Sequence, residues 1–256
     1  MSGRSGLVAA ALVCAIALAG CGGGGGGGKA SLTVSAATSL KTALTAYGQT
    51  VPGLELRYSF AGSDQLAAQI RAGARPDVFA AANTKLPQAL FAAGLVERPV
   101  VFASNRLVLA VPASSSNVRS LADLARPGTT VVTGSSSVPV GSYTTQLLGR
   151  LPAAQRRRIL ANVRSREPDV AGIVGKLSQG AADAGFVYAT DVRAAGGRLR
   201  AIELPARLLP RIAYAAAVVS RTGHRVDAQR FVRGLLAGAG QAALRAAGFT
   251  PPPPSP

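Results

Sequence analysis

The chain has 256 residues, of which 48% are hydrophobic but only 5% aromatic with no Trp, so small aliphatic side chains must fill any core. Lys and Arg outnumber Asp and Glu by 28 to 11, and the formal net charge of +17 raises polyanions as partners. The arginines are scattered, Arg156-Arg157-Arg158 is their longest run and no aromatics interleave with them, so the stacking platform of a single-strand binder is missing and no nucleic-acid partner is expected. Cys14 and Cys21 both fall early, which removes disulfides, thiol catalysis and cysteine-ligated metals from the rest of the chain; His224 is the single histidine, in a polar stretch that reads as surface.

Residues 1–20 join a basic start at Arg4 to an apolar run from Leu7 to Ala19, too short for a comfortable membrane span, and read as a signal peptide. Leu18-Ala19-Gly20-Cys21 resembles the bacterial lipoprotein signal, which implies a lipid on Cys21 and a domain held at the outer face of a membrane. The glycine run from Gly22 to Gly28 makes residues 21–29 a flexible tether, with a root-mean-square reach of about 15 Å.

From Ser31 onward strand-like and helix-like segments alternate, which argues an α/β fold of parallel sheets flanked by helices. Leu32-Thr33-Val34 is a buried strand, and Leu40, Ala43, Leu44 and Tyr47 recur at helical spacing after it. Leu54–Tyr58 alternates as a half-exposed strand, a helix carries Leu66, Ala67 and Ile70, and Asp77–Ala81 is a buried strand. Arg106–Val111 is the next strand. Beyond Pro112 come a short helix at Ser120–Leu124, a strand at Thr129–Thr133, helices at Ser142–Arg150, Ala153–Val163 and Asp169–Leu177, and a strand at Ala184–Tyr188. A long apolar strand at Ile212–Val219, one closing helix over Arg225–Ala247 and a proline tail over 251–256 complete the chain. The strands at Arg106–Val111 and Ile212–Val219 are expected to join two lobes, 30–107 plus 218–250 and 108–217, with a ligand between them where strand ends meet helix starts.

One device recurs along the chain. Ser39, Ser63, Val140 and Val170 each stand at a joint where a helix opens, and a helix start offers unpaired N–H groups and the positive end of the macrodipole. Such joints suit an anion. Asp64 and Asp169 adjoin two of them and are expected to face solvent and complement the helix dipoles.

These motifs together resemble the periplasmic molybdate-binding proteins of molybdate ABC transporters, from about residue 31 to 250. The resemblance rests on Ala36-Ala37-Thr38-Ser39-Leu40, Phe60-Ala61-Gly62-Ser63, Gly73-Ala74-Arg75-Pro76-Asp77-Val78-Phe79, Asn105-Arg106-Leu107-Val108-Leu109, Val138-Pro139-Val140-Gly141-Ser142-Tyr143, Gly185-Phe186-Val187-Tyr188 and Gly248-Phe249-Thr250. It implies a type II two-lobed binding-protein fold, each lobe a mainly parallel sheet flanked by helices. It implies a molybdate or tungstate oxyanion held by the hydroxyls and amides of Ser39 and Ser63, the amides of Val140 and Val170, and the hydroxyl of Tyr188. The metal is then met only through the oxygens of the ion, with no cofactor and no catalysis, and the partner of a monomeric binder is a membrane permease. Val140 stands where the family usually has alanine, and Thr38 where a smaller residue is usual. A binder of sulfate, thiosulfate or another oxyanion is the alternative; a secreted serine hydrolase using Ser39 or Ser63 is a distant one, with Lys41 as the only sequence-adjacent base.

Overall fold

The computed structural model describes residues 30–114 and 117–252. The expected signal peptide, the lipidation site Cys21, the tether up to residue 29 and residues 253–256 of the tail lie outside the described residues. The chain opens with β1 (Ala30–Ala37), α1 (Lys41–Gly48), β2 (Leu54–Ala61), α2 (Ser63–Arg71), β3 (Val78–Ala81), α3 (Lys85–Ala92) and β4 (Val100–Asn105). It continues through β5 (Leu107–Pro112), β6 (Val131–Gly134), α4 (Pro139–Gly149), α5 (Ala153–Ala161), β7 (Val163–Glu167), α6 (Val170–Ser178), β8 (Ala184–Tyr188), α7 (Ala189–Ala194) and β9 (Leu199–Ile202). It closes with β10 (Ile212–Val218), α8 (Arg225–Leu236) and α9 (Ala239–Ala246).

Among the described residues the strands form two five-stranded sheets, ordered β2-β1-β3-β10-β4 and β7-β6-β8-β5-β9. Both have the same plan. β1 runs parallel to β2 and β3, and β6 parallel to β7 and β8, whereas β10 and β5 run antiparallel to both of their neighbours. Each reversed strand arrives from the other sheet: β5 follows β4 directly through Asn105 and Arg106, and β10 follows β9 through residues 203–211. The chain therefore crosses twice between two lobes.

Both faces of the first sheet are covered, as parallel pairing requires. β3 shows it residue by residue, because Val78 and Ala80 join the main apolar core while Phe79 and Ala81 join a smaller cluster with Leu66, Ala67, Ile70 and Leu90 of the flanking helices. Small residues make this possible: in β10 Ala215, Ala216 and Ala217 are all buried.

Four expectations need correction. Residues 212–217, assigned from sequence to the second lobe, belong to the first sheet, where β10 is sandwiched between β3 and β4. The strand expected at Arg106–Val111 is preceded by a separate one, β4, in the other sheet. No Gly or Pro marks the transfer at Asn105–Arg106; only the polar Ser104-Asn105-Arg106 separates the two apolar segments. The helix expected to reach Val163 stops at Ala161; the side chain of Asn162 donates to the carbonyls of Leu124 and Arg126, and Val163–Glu167 becomes an edge strand with Arg164 and Arg166 facing out. The closing helix is two, broken at Gly238, whose φ of 68° lies where a side chain would strain the backbone.

The far end of the first sheet, away from the parallel strands' C-terminal edge, is held by Asp77. Its carboxylate accepts from Thr33 N at 2.6 Å, from the Thr222 hydroxyl and from His224 Nδ1 at 3.1 Å, joining β1, β3 and the turn after β10. Replacing Asp77 by Ala strands these donors beside a buried position and is expected to cost on the order of 2–3 kcal/mol, read as a fall of roughly 5–10 °C in the unfolding midpoint of the unligated protein.

Candidate functional site

Register brings the joints together. Ala37 pairs with Ala61 and Ala36 with Ala80, so β1, β2 and β3 end level, and the residues that follow them share one edge of the sheet. The second sheet presents the corresponding ends of β6, β7 and β8 to the same gap. A cavity of about 20 Å³ lies there, lined by Ala37, Thr38, Ser39, Ala61, Gly62, Ser63 and Ala82 from one lobe and by Val138, Pro139, Val140, Asp169, Val170 and Tyr188 from the other. It is far below the roughly 300 Å³ at which pockets for organic ligands begin. Ser39, Ser63, Val140, Val170 and Tyr188 all border it.

The helix starts leave their donors open. Ser39 sits in a 3₁₀ turn over Thr38–Leu40 that leads into α1, Ser63 is the first residue of α2, Val140 the second of α4 behind Pro139, and Val170 the first of α6. First-turn amides have no partner within their own helix. No side chain caps the 3₁₀ turn, α2 or α4. At α6 Asp169 is the cap, and its Oδ1 accepts from Gly172 N at 2.9 Å, which leaves Val170 N untouched.

Of the residues lining the cavity only Asp169 is charged, and its Oδ1 is turned onto its own helix. Asp169 is thus half-buried at the cavity rather than turned to solvent as expected, although it does complement its helix. Asp64 stays out of the lining but is likewise half-buried rather than turned to solvent as expected, with its Oδ1 buried and without a hydrogen-bond partner.

The hydroxyls are arranged as donors too. Ala82 N donates to Ser63 Oγ at 3.1 Å, so that oxygen already accepts one hydrogen bond and its own proton remains free. The Tyr188 hydroxyl is buried without a hydrogen-bond partner. Burial foremost, then the neighbouring Tyr214, Tyr143 and Asp191, hold its pKa far above the usual phenol value, so it keeps its proton. Beneath it Asp191 accepts from Tyr188 N at 2.9 Å and steadies the turn into α7. Burial pushes the Asp191 carboxyl up to about 7, with the charge of Asp169 adding to the rise and the Tyr188 N–H opposing it.

The lobes come close together at Gly62. A Cβ on Gly62 would stand 2.4 Å from the Pro168 carbonyl oxygen of the opposite lobe, so only glycine fits. Ala82 and Tyr214 carry no local signal in the sequence; each matters through a neighbour distant along the chain, Ser63 and Ser39 respectively. The hydrolase alternative loses its base here: His224 is bound to Asp77 at the other end of the sheet, and Lys41 borders a neighbouring groove rather than the cavity. Among the described residues no group of three His, Cys, Asp or Glu side chains could hold a bare metal ion, and no helix is long and apolar enough to cross a membrane.

Comparison with known proteins agrees with this architecture. Residues 32–250 match the family model for bacterial extracellular solute-binding proteins. The molybdate-binding protein ModA of Mycobacterium tuberculosis is 36% identical over 228 residues, covering 87% of this chain and 85% of its own. The periplasmic molybdate-binding protein of Azotobacter vinelandii superposes with a TM-score of 0.76 at 25% identity, over 87% of this chain and all of the other. The sulfate-binding protein SubI of M. tuberculosis shares the fold, with a TM-score of 0.71 at 20% identity over 88% of each chain. The two lobes are those of a type II periplasmic binding protein, and the chain belongs to the bacterial extracellular solute-binding protein family as a ModA-type member.

Proposed function

We propose that this chain captures molybdate, and tungstate with it, in the cavity between its lobes and delivers it to the permease of an ABC transporter. In this reading it acts outside the cytoplasm as a monomer anchored through lipid on Cys21, with no cofactor and no catalysis. One observation carries the ligand class: the hydroxyls of Ser39, Ser63 and Tyr188 and the first-turn amides of four helix starts border a single small cavity that no cation lines. A fully ionised tetrahedral oxyanion presents only acceptors and is matched by donors alone. The relatives named for molybdate binding select molybdate within that class.

The test is thermal unfolding of residues 30–256 with millimolar molybdate, tungstate, sulfate, thiosulfate or phosphate. A ligand at about a thousand times its dissociation constant adds roughly 4 kcal/mol, or about 8–16 °C for a chain of this size. Shifts with molybdate and tungstate alone are expected; a shift with sulfate or thiosulfate instead replaces the ligand, and none at all discards the site. Ser39→Ala and Ser63→Ala should each weaken molybdate binding by on the order of 1.5–3 kcal/mol in calorimetry.

Closure has its own signature. Gly62→Ala would set a methyl group 2.4 Å from the Pro168 carbonyl oxygen of the opposite lobe and 2.9 Å from Asp64 Oδ1 of its own, so molybdate affinity should fall by about 1–3 kcal/mol in calorimetry.

The buried Asp191 makes binding depend on pH. Its carboxyl, with a pKa of about 7 against 3.8 unperturbed, is mostly neutral at pH 6 and mostly charged at pH 8. Charged, it repels a dianion beside Tyr188; Asp169 adds to this, while Lys41 and Arg198, which border the same groove as Asp191, oppose it. Molybdate should bind more tightly at pH 6 than at pH 8, and Asp191→Asn, which keeps an acceptor for Tyr188 N, should flatten that dependence in calorimetry at the two pH values.

A further inference from the structure

Behind the cavity wall a line of buried polar side chains runs from the site to the crossover between the lobes. Ser39 Oγ lies 3.0 Å from the Tyr214 hydroxyl, that hydroxyl 3.4 Å from Asn105 Nδ2, and the same nitrogen 2.9 Å from Thr190 Oγ1. All four residues are buried. Asn105 ends β4, the last residue before the chain enters the second lobe, and Thr190 lies in α7 of that lobe.

The directions of these bonds can be worked out from one end. Arg106 N donates to Asn105 Oδ1 at 2.8 Å, which assigns the amide oxygen and leaves the amide nitrogen facing Tyr214 and Thr190. A nitrogen of this kind only donates, so the Tyr214 oxygen accepts. Burial holds the Tyr214 pKa far above its usual value, so its proton stays in place; of the two hydroxyls beside it, Ser39 and Tyr188, Ser39 Oγ at 3.0 Å takes it in this scheme. Ser39 then has its inner lone pair filled and its own proton left for the cavity. Ser63 is set the same way by the main-chain N–H of Ala82, which no side-chain substitution removes. Tyr214 is the replaceable counterpart.

We propose that Tyr214, oriented by Asn105, is a positioning residue that fixes the Ser39 hydroxyl as a donor to the ligand and thereby favours fully ionised oxyanions over those that carry a proton. This rests on the oxyanion-binding reading of the cavity. An anion such as hydrogenphosphate needs one acceptor from the site; Ser39 could offer its second lone pair only by turning its own proton off the anion, and with the Tyr214 hydroxyl donating to it there is no acceptor on that side to take the proton. A dianion with four bare oxygens asks for no such turn. Tyr214 meets no ligand in this scheme, since it lies outside the cavity lining and acts through Ser39.

The experiment is calorimetric titration of wild type, Tyr214→Phe, Ser39→Ala and the double variant with molybdate and with inorganic phosphate. Phenylalanine keeps the ring contacts to Phe102, Tyr188 and Phe249 and deletes only the hydroxyl. Tyr214→Phe should weaken molybdate binding about tenfold and lower the ratio of molybdate to phosphate affinity severalfold, while on the Ser39→Ala background it should change molybdate binding less than twofold. Asn105→Ala, which leaves every ring in place, should move the ratio in the same direction and serves if the first variant does not fold. An unchanged ratio, or the full tenfold loss on the Ser39→Ala background, overturns the positioning role and leaves the oxyanion site standing. Failure of the wild type to bind molybdate or any other tetrahedral anion removes both.

Discussion

A charge buried without a counter-ion must be met by dipoles, and the dipoles must already point the right way. In this protein parallel strand pairing supplies that condition. Because β1, β2 and β3 end level, the turns that follow them open helices at one edge of the sheet, and the second lobe repeats the plan with β6, β7 and β8. Each helix start contributes amides with no partner of their own. The antiparallel strands β5 and β10 then pass the chain between lobes without disturbing that edge.

The hydroxyls obey the same constraint at finer scale. A serine can give or take a hydrogen bond, and an unassigned serine would suit a protonated anion as well as a bare one. In this cavity Ser63 Oγ already accepts from Ala82 N, and Ser39 Oγ is engaged by Tyr214. The Tyr188 hydroxyl is buried with no well-formed hydrogen bond to the protein. Leaving a buried hydroxyl unpaired costs about 1–3 kcal/mol, stability given up for a donor aimed at the cavity. The Gly62 contact with Pro168 sets how near the two sets of donors can come.

Much of this was legible in residue order. A strand running into Ser39, another into Ser63, Pro139 ahead of Val140 and Asp169 ahead of Val170 are local signals, and the structure gathers these residues with Tyr188 around one cavity. Strand–helix alternation indicated the parallel pairs of each sheet in the same way, but not the antiparallel pairings of β10 and β5 that make both sheets mixed rather than mainly parallel. Legibility failed where structure depends on distant pairing. β4 and β7 went unseen because one is separated from β5 by Arg106 alone, with no Gly or Pro to mark a turn, and the other is a short edge strand carrying two arginines. The break between α8 and α9 turned on one glycine at positive φ in an otherwise helical pattern.

By itself, then, the sequence determined where each strand hands over to a helix, because capping, proline position and apolar period act within a few residues. It also determined the chemical character of the cavity lining, small residues and hydroxyls with no cation among them. Only the tertiary structure decided which lobe β10 joins, and with it that Tyr214 reaches Ser39 across 175 positions of chain. The physical reason is that a continuous apolar strand, buried on both faces, does not specify its neighbours; the antiparallel registers of β10 with β3 and β4 do, and they bring the Tyr214 hydroxyl to Ser39.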